Sequence, residues 1–238
     1  MFVLLISTDD SESVNLQGGV SLIVNRKWGA HVQDNGSDPL GRWVWVTLYG
    51  SKGRKLTVVS AYRPNEGGAS SGSDTVWRQQ YNYLTAKDSE RMTTEPVEID
   101  PWERFLLDLR NLLERKKKEG HQLVLMIDAN HSRHAKTKKM CYMDLVEQVE
   151  MDPSLDEQEA CVVPSRHTGT NVIDHIDTYG IPKENVVCAG QLPHGIGFES
   201  DHRCIYADLD IESISGFNAD RHKQRASCRL KSENKVTA

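Results

Sequence analysis

DPWERFLLDLRNLLERKKKEGHQLVLMIDAN, residues 100–130, is the segment from which the architecture follows. Asp100 can cap the first free amides of a helix, Pro101 suits its first position, and Glu103 completes a capping-box pattern. Phe105, Leu106, Leu109, Leu112 and Leu113 recur at helical spacing and make one apolar face. Lys116 to Lys118 suit the negative end of the helix, and Gly120 can stop it. Leu123 to Ile127 then reads as a central strand. A long helix, a glycine stop and a buried strand in succession imply a layered α/β or α+β domain.

The flanking sequence agrees. Trp43 to Tyr49 is β-rich, Gly50-Ser51-Lys52-Gly53 breaks it, and Lys55 to Tyr62 returns, which is a hairpin signal. Val20 to Val24 follows a glycine pair as a further strand, and the apolar start, Met1 to Ile6, reads as an initial buried strand. Residues 63–75 read as an exposed loop. Trp77, Tyr81 and Leu84 suggest a short helix. Residues 172–177, 185–189 and 202–209 supply more strand candidates, and the acidic run Asp144 to Glu159 reads as helix surface and loop.

Composition bounds the class. The chain has 238 residues, 38% of them hydrophobic, with five Trp and seven Tyr, so global disorder is excluded. The net charge of -5 disfavours a wholly basic nucleic-acid coat but not a local patch. Five cysteines, none in a closely spaced pair, fit a reducing intracellular compartment better than a disulfide scaffold. Met1 to Ile6 is too short to span a membrane and is preceded by no positive charge.

The chemistry sits in three short runs, each at the end of an apolar stretch. These are Met126-Ile127-Asp128-Ala129-Asn130, Ile173-Asp174-His175-Ile176 and Ser200-Asp201-His202-Arg203. Gathered at one sheet edge, these carboxylates, the amide and the imidazole would bind a divalent cation and activate water beside a phosphate. Plainer roles exist: Asp128 can end a strand, Asn130 can cap a turn and Asp201 can cap the following segment. Asp177 is a further carboxylate, but its register sets it apart from Asp174. Arg133, Lys136, Lys138 and Lys139 follow the central strand as a basic loop, with Arg133 and Lys136 the candidates for holding substrate phosphate.

The ordered motifs resemble the endonuclease/exonuclease/phosphatase superfamily, and within it the endonuclease-like domains of non-LTR retroelements. Ser60-Ala61-Tyr62-Arg63-Pro64-Asn65 resembles the family's Tyr-Arg-Pro-Asn segment. Ile127 to Asn130 resembles its GDFN motif, Arg166 to Ile176 the segment ending in IDYI, and Ser200 to Arg203 its terminal SDHRP motif. The resemblance covers roughly Gly18 to Gly216. It implies a four-layer α/β/β/α sandwich and a site at one edge of paired sheets. Asp128 would position or activate water, Asn130 would orient the phosphate, and Asp174 would hold the tautomer of His202. His202 would meet the scissile phosphate, Asp201 and Asp128 would organise the metal, and Tyr62 and Asn65 would line the phosphate pocket. Mg²⁺ is the implied cofactor, with Mn²⁺ as a substitute.

Departures from the family pattern set further expectations. The Asn-containing first strand and the Gln-Glu motif whose Glu binds metal have no counterpart before Gly18, so the first strands are expected to be missing. Ile127 replaces a glycine, His175 a tyrosine and Cys204 a proline. The expected organisation is residues 1–17 as an atypical segment, 18–216 as the domain and 217–238 as a basic flexible tail. The leading function is Mg²⁺-dependent hydrolysis of duplex DNA by a retroelement-type endonuclease, with a reverse transcriptase in cis as the expected partner, no membrane, and a nuclear location following from that role. The alternatives are a phosphatase acting on a small phosphorylated substrate and a catalytically dead nucleic-acid-binding remnant.

Overall fold

The structure is a computed structural model of the chain and describes residues 3–7, 19–68, 70–89, 100–132, 140–153, 163–196 and 199–216. The chain begins with β1 (Val3–Ser7) antiparallel to β2 (Val20–Val24). β1 therefore lies within the segment set apart at residues 1–17, and it pairs in register with the strand that opens the domain. The one-turn α1 (Arg26–Gly29) follows, with Asn25 Oδ1 accepting the Lys27 amide at 2.9 Å.

The centre is a six-stranded sheet. It takes β3 (Val32–Ser37), β4 (Trp43–Tyr49), β5 (Lys55–Tyr62), β6 (Gln122–Asp128), β7 (Asp152–Pro153) and β8 (Asp174–Tyr179), in the order β3-β4-β5-β6-β8-β7. Only β5 and β6 run parallel. The crossover between them carries α2 (Val76–Ser89) and α3 (Pro101–Lys118). After the sheet come α4 (Tyr142–Val149), before β7, and a second antiparallel pair, β9 (Val186–Gln191) with β10 (Ile205–Leu209), closed by the short α5 (Ile211–Ser215).

Period-two alternation decides which side chains meet which layer. On one face Leu123, Leu125 and Ile127 of β6, with Trp43, Trp45, Val59 and Ala61, pack under Phe105, Leu106, Leu109 and Leu113 of α3 and Tyr142, Leu145 and Val149 of α4. The four α3 side chains are fully buried, and truncating one such leucine to alanine costs about 2–5 kcal/mol. On the other face Val44 and Val46 lie under Leu22 and Val24. Leu48, Leu56, Val124 and Ile176 lie under Val186, Ala189, Ile205 and Ala207. β6 is covered on both sides, which is why it reads as an unbroken apolar run.

This is a layered α/β sandwich, as expected. A helical layer, the six-stranded sheet and a second β layer are in place. Among the described residues the second β layer is split: β1-β2 and β9-β10 form separate two-stranded sheets. A cavity of about 370 Å³ opens beside β2, floored by Val46, Leu48, Val58 and Met126. The helices whose apolar residues join that layer, α1 and α5, are four and five residues long.

Local signals behave as chemistry requires. Asp100 accepts the Trp102 amide at 2.9 Å, and Gly120 adopts φ +79°, the left-handed backbone that ends α3. A reciprocal capping box forms at α4, where Asp144 takes the Cys141 amide at 2.6 Å. The expected tail at residues 217–238 lies outside the described residues.

Candidate active site

Strand register builds the floor of the site. Tyr62 on β5 pairs with Asp128 on β6, and Asp128 pairs with Asp174 on β8. All three belong to the alternating set that faces the second β layer, so their side chains stand in one row at the sheet's edge. Asn130 completes the row from the turn after β6. Its φ is +46°, a left-handed conformation that asparagine tolerates. Its amide donates to Asp128 Oδ1 at 2.9 Å, and its Nδ2 donates to the Arg63 carbonyl at 2.7 Å. The Asn130 side chain favours ionisation of the Tyr62 hydroxyl, against the burial that opposes it.

Two loops bring in the imidazole. Residues 165–167 run beside 201–203, with His167 N donating to Asp201 O at 2.9 Å and Arg203 N to Ser165 O at 2.7 Å. Ser165 is fully buried, and its Oγ accepts the amides of Ile173 at 3.0 Å and Asp174 at 3.1 Å, tying this loop to the start of β8. His202 then places Nδ1 2.8 Å from Asp174 Oδ2 and Nε2 4.0 Å from Asp128 Oδ2.

Burial, and then the facing Asp174, push the Asp128 carboxyl up to about 6. The bond to Asp174 raises His202, outweighing a partial burial that opposes it. Burial and the nearby Asp128 raise the Tyr62 hydroxyl. Negative charge is thus crowded into a half-buried space.

A cation fits that space. Ligand atoms of Asp128, Asp174 and His202 all lie within 4.8 Å of one another, the one such group found among the described residues. Two carboxylates satisfy a hard cation such as Mg²⁺ with waters completing its shell, and Mn²⁺ takes the same oxygen ligands.

Asp128, Asn130, Asp174, His202 and Tyr62 therefore meet, although they come from four separate parts of the chain. Asp201 does not join them. Its Oδ2 accepts Arg166 Nε at 3.1 Å and Nη2 at 2.6 Å, and its side chain is 62% exposed. The ligand role expected for Asp201 rests on the resemblance alone; in this structure its carboxylate is engaged by Arg166. Asn65 is exposed and makes no hydrogen bond to the cluster. Arg133 and Lys136 lie outside the described residues.

Asp177 and His175 face away from the site, toward α4. His175 stacks on Tyr142 with ring centroids 4.8 Å apart, and the Tyr142 hydroxyl donates to Asp177. Sequence reading missed Arg166, whose charge lowers both Asp128 and Tyr62. Its only sequence signal is a lone arginine shortly before the Asp174 strand.

No protein-family model matches the chain, and no curated protein matches it in sequence. Solved structures match by shape. A humanised D. rerio TDP2 superposes with a TM-score of 0.48 at 15% identity, over 87% of this chain and 75% of its own. NExo, a 3'-5' exonuclease from Neisseria meningitidis, gives 0.47 at 16% identity, over 75% of this chain and 72% of its own. The human Nocturnin catalytic domain with bound sulfate gives 0.39 at 11% identity, over 74% of this chain. This chain spans 59% of that one, less than two thirds of its length. These neighbours belong to the endonuclease/exonuclease/phosphatase superfamily, and the likeness is one of fold. Among the described residues no helix is long and apolar enough to cross a membrane.

Proposed function

We propose that this chain is a divalent-metal-dependent phosphodiester hydrolase acting on DNA. The observation that carries the reading is the convergence of Asp128, Asp174 and His202 within 4.8 Å, with His202 oriented through Nδ1 by Asp174. That arrangement serves in-line attack of water on phosphorus.

Each residue has a task that its surroundings support. Asp128 and Asp174 supply the anionic oxygens for Mg²⁺ or Mn²⁺, and the bound cation would polarise a phosphoryl oxygen and acidify water. Asp128, the carboxylate not bonded to His202, is placed to position that water. His202 keeps Nε2 for the phosphate, and its raised affinity for a proton favours the donor form that stabilises negative charge at phosphorus. Asn130 holds the turn that presents Asp128 and keeps one amide hydrogen beyond the bond to Arg63. Tyr62 flanks Asp128 and stays protonated, a neutral donor to the phosphate.

The motif order supports the finer form of the proposal, a retroelement-type endonuclease cutting duplex DNA beside a reverse transcriptase in the same polyprotein. A second reading, nucleic-acid binding without cleavage, draws on the ligand group containing only two carboxylates among the described residues. Supercoiled plasmid incubated with Mg²⁺, with Mn²⁺ and with EDTA tests the choice. Nicking that requires metal and disappears in Asp128→Asn supports the hydrolase. Retention of plasmid in a gel shift with no nicking under any condition supports the binding module and overturns the proposal.

A further inference from the structure

We infer that Arg166 is a substrate contact, binding a non-bridging oxygen of the phosphate presented to His202, and that Asp201 is a positioning residue for its guanidinium. The inference rests on the hydrolase reading and adds to it the group that recognises the phosphate's charge.

Placement comes first. Arg166 and His202 face each other in an isolated antiparallel bridge, so the backbone pins the arginine beside the imidazole. Its charge acts on Asp128 and on Tyr62, opposing the burial that raises both. Its guanidinium bonds the side chain of Asp201, the residue immediately before His202.

The bonding pattern is that of a held but uncommitted donor. Nε and Nη2 both end on a single oxygen, Asp201 Oδ2, at 3.1 and 2.6 Å. An arginine has five N–H groups, and among the described residues the Nη1 edge of this one has no hydrogen-bond partner. The pair is open to solvent, with the arginine side chain 44% exposed, so a phosphate can approach without displacing core residues. The planar fork of donors matches two phosphoryl oxygens better than an ammonium does.

A purely structural role explains less. The two loops are already stitched by His167 N to Asp201 O, Arg203 N to Ser165 O, and Arg203 Nε to Pro164 O at 3.1 Å. An exposed ion pair adds little to that ladder. Holding one edge of the guanidinium while leaving the other open is a task the ladder cannot do.

The test uses two probes on the full chain. Inorganic phosphate is titrated while the His202 ring resonances are followed by NMR, and hydrolysis of bis(p-nitrophenyl) phosphate is measured with Mn²⁺. Arg166→Gln should weaken phosphate about tenfold and raise KM by a similar factor, with kcat changed less, and Arg166→Lys should recover only part of the loss. Asp201→Ala, which frees the guanidinium without removing its charge, should raise KM about threefold and keep the phosphate-induced His202 shift. Thermal melts confirm that each variant is folded. Wild-type phosphate affinity and KM in Arg166→Gln would overturn the inference, as would a wild-type chain whose His202 resonances ignore phosphate. A wild type that binds phosphate through Arg166 but hydrolyses nothing overturns the hydrolase reading and leaves the phosphate contact standing.

Discussion

His202 Nδ1 lies 2.8 Å from Asp174 Oδ2, and that bond leaves Nε2 facing the space before Asp128 Oδ2, 4.0 Å away. One carboxylate thus fixes both the tautomer and the aim of the ring. Its partner in the strand ladder, Asp128, faces the space for cation and water together with the Asp174 oxygen that His202 leaves free.

The first prediction tests this division. Asp174→Asn keeps the shape but no longer accepts the Nδ1 proton as an anion, so the imidazolium loses its stabilisation. Turnover should fall on the order of 10²- to 10⁴-fold. His202→Ala should fall by a comparable factor, and the double variant should be little worse than the worse single one, because the two act as a unit. Steady-state kinetics with saturating Mn²⁺ check this. Multiplying losses would show that the residues act independently.

A second concerns Asp128. Asp128→Asn should abolish most turnover while leaving circular dichroism unchanged. Without metal the variant should melt at or above the wild-type temperature, because a half-buried carboxylate facing Asp174 has been neutralised. Adding Mg²⁺ or Mn²⁺ should raise the melting temperature of the wild type and not of the variant. An equal metal-induced rise in both would place the cation elsewhere.

A third concerns the back of β8. Tyr142 and Asp177 are both fully buried, and the hydroxyl donates to the carboxylate. Tyr142→Phe keeps the stack on His175 but takes away that donor, and should cost about 1–3 kcal/mol in urea unfolding. A loss below about 0.5 kcal/mol would show that the carboxylate is satisfied by its other neighbours.

A fourth is a pH effect on stability. His121 is buried at the end of a chain of hydroxyls: Thr47 Oγ1 meets Thr57 Oγ1 at 2.8 Å, and Thr57 Oγ1 meets His121 Nδ1 at 2.7 Å. Burial, then Lys116 and Lys55, lower its affinity for a proton. The unfolded chain takes up that proton as pH falls below about 6.5, and the folded chain resists it. The stability from neutral His121 is therefore complete above about pH 6.5 and is lost as pH falls toward the lowered folded value. Urea unfolding at pH 7 and pH 5 should show a smaller acid loss in His121→Gln than in the wild type. His131, also lowered by burial, works in the same direction and remains in both proteins.

Much of this architecture is legible because local chemistry and tertiary packing agree. The β4–β5 hairpin falls on Trp43–Tyr49 and Lys55–Tyr62, with Lys52 and Gly53 at positive φ in the turn between them. α3 begins at its Asp100 cap, and β6 covers Gln122–Asp128 around the apolar run. β3 escaped notice because Val32–Ser37 is a polar edge strand, alternately half-buried and exposed, with none of the β-branched density of its neighbours. Within the site, Asp128, Asp174 and Tyr62 are readable as strand ends. The outward turn of Asp201 and the arrival of Arg166 depend on how the loops around 166 and 202 lie against each other, and no local pattern encodes a contact between loops so far apart in the chain.

The row formed by Tyr62, Asp128 and Asp174 has a consequence for how this chain can change in length. Each residue owes its direction to an even number of steps along its strand, so inserting or deleting one residue within β5, β6 or β8 rotates everything beyond it by half a turn of the pleat. The functional group would then point into the helical layer and a buried leucine or valine would take its place. Such a change cannot be repaired by a compensating substitution at the site. The exposed parts of the connections, at residues 65–66 and 168–170, are not bound by this parity and can absorb added residues. Tolerance to length change is thus distributed by strand parity rather than by distance from the chemistry, and a scan of single-residue insertions would trace the ladder as a sharp on–off boundary.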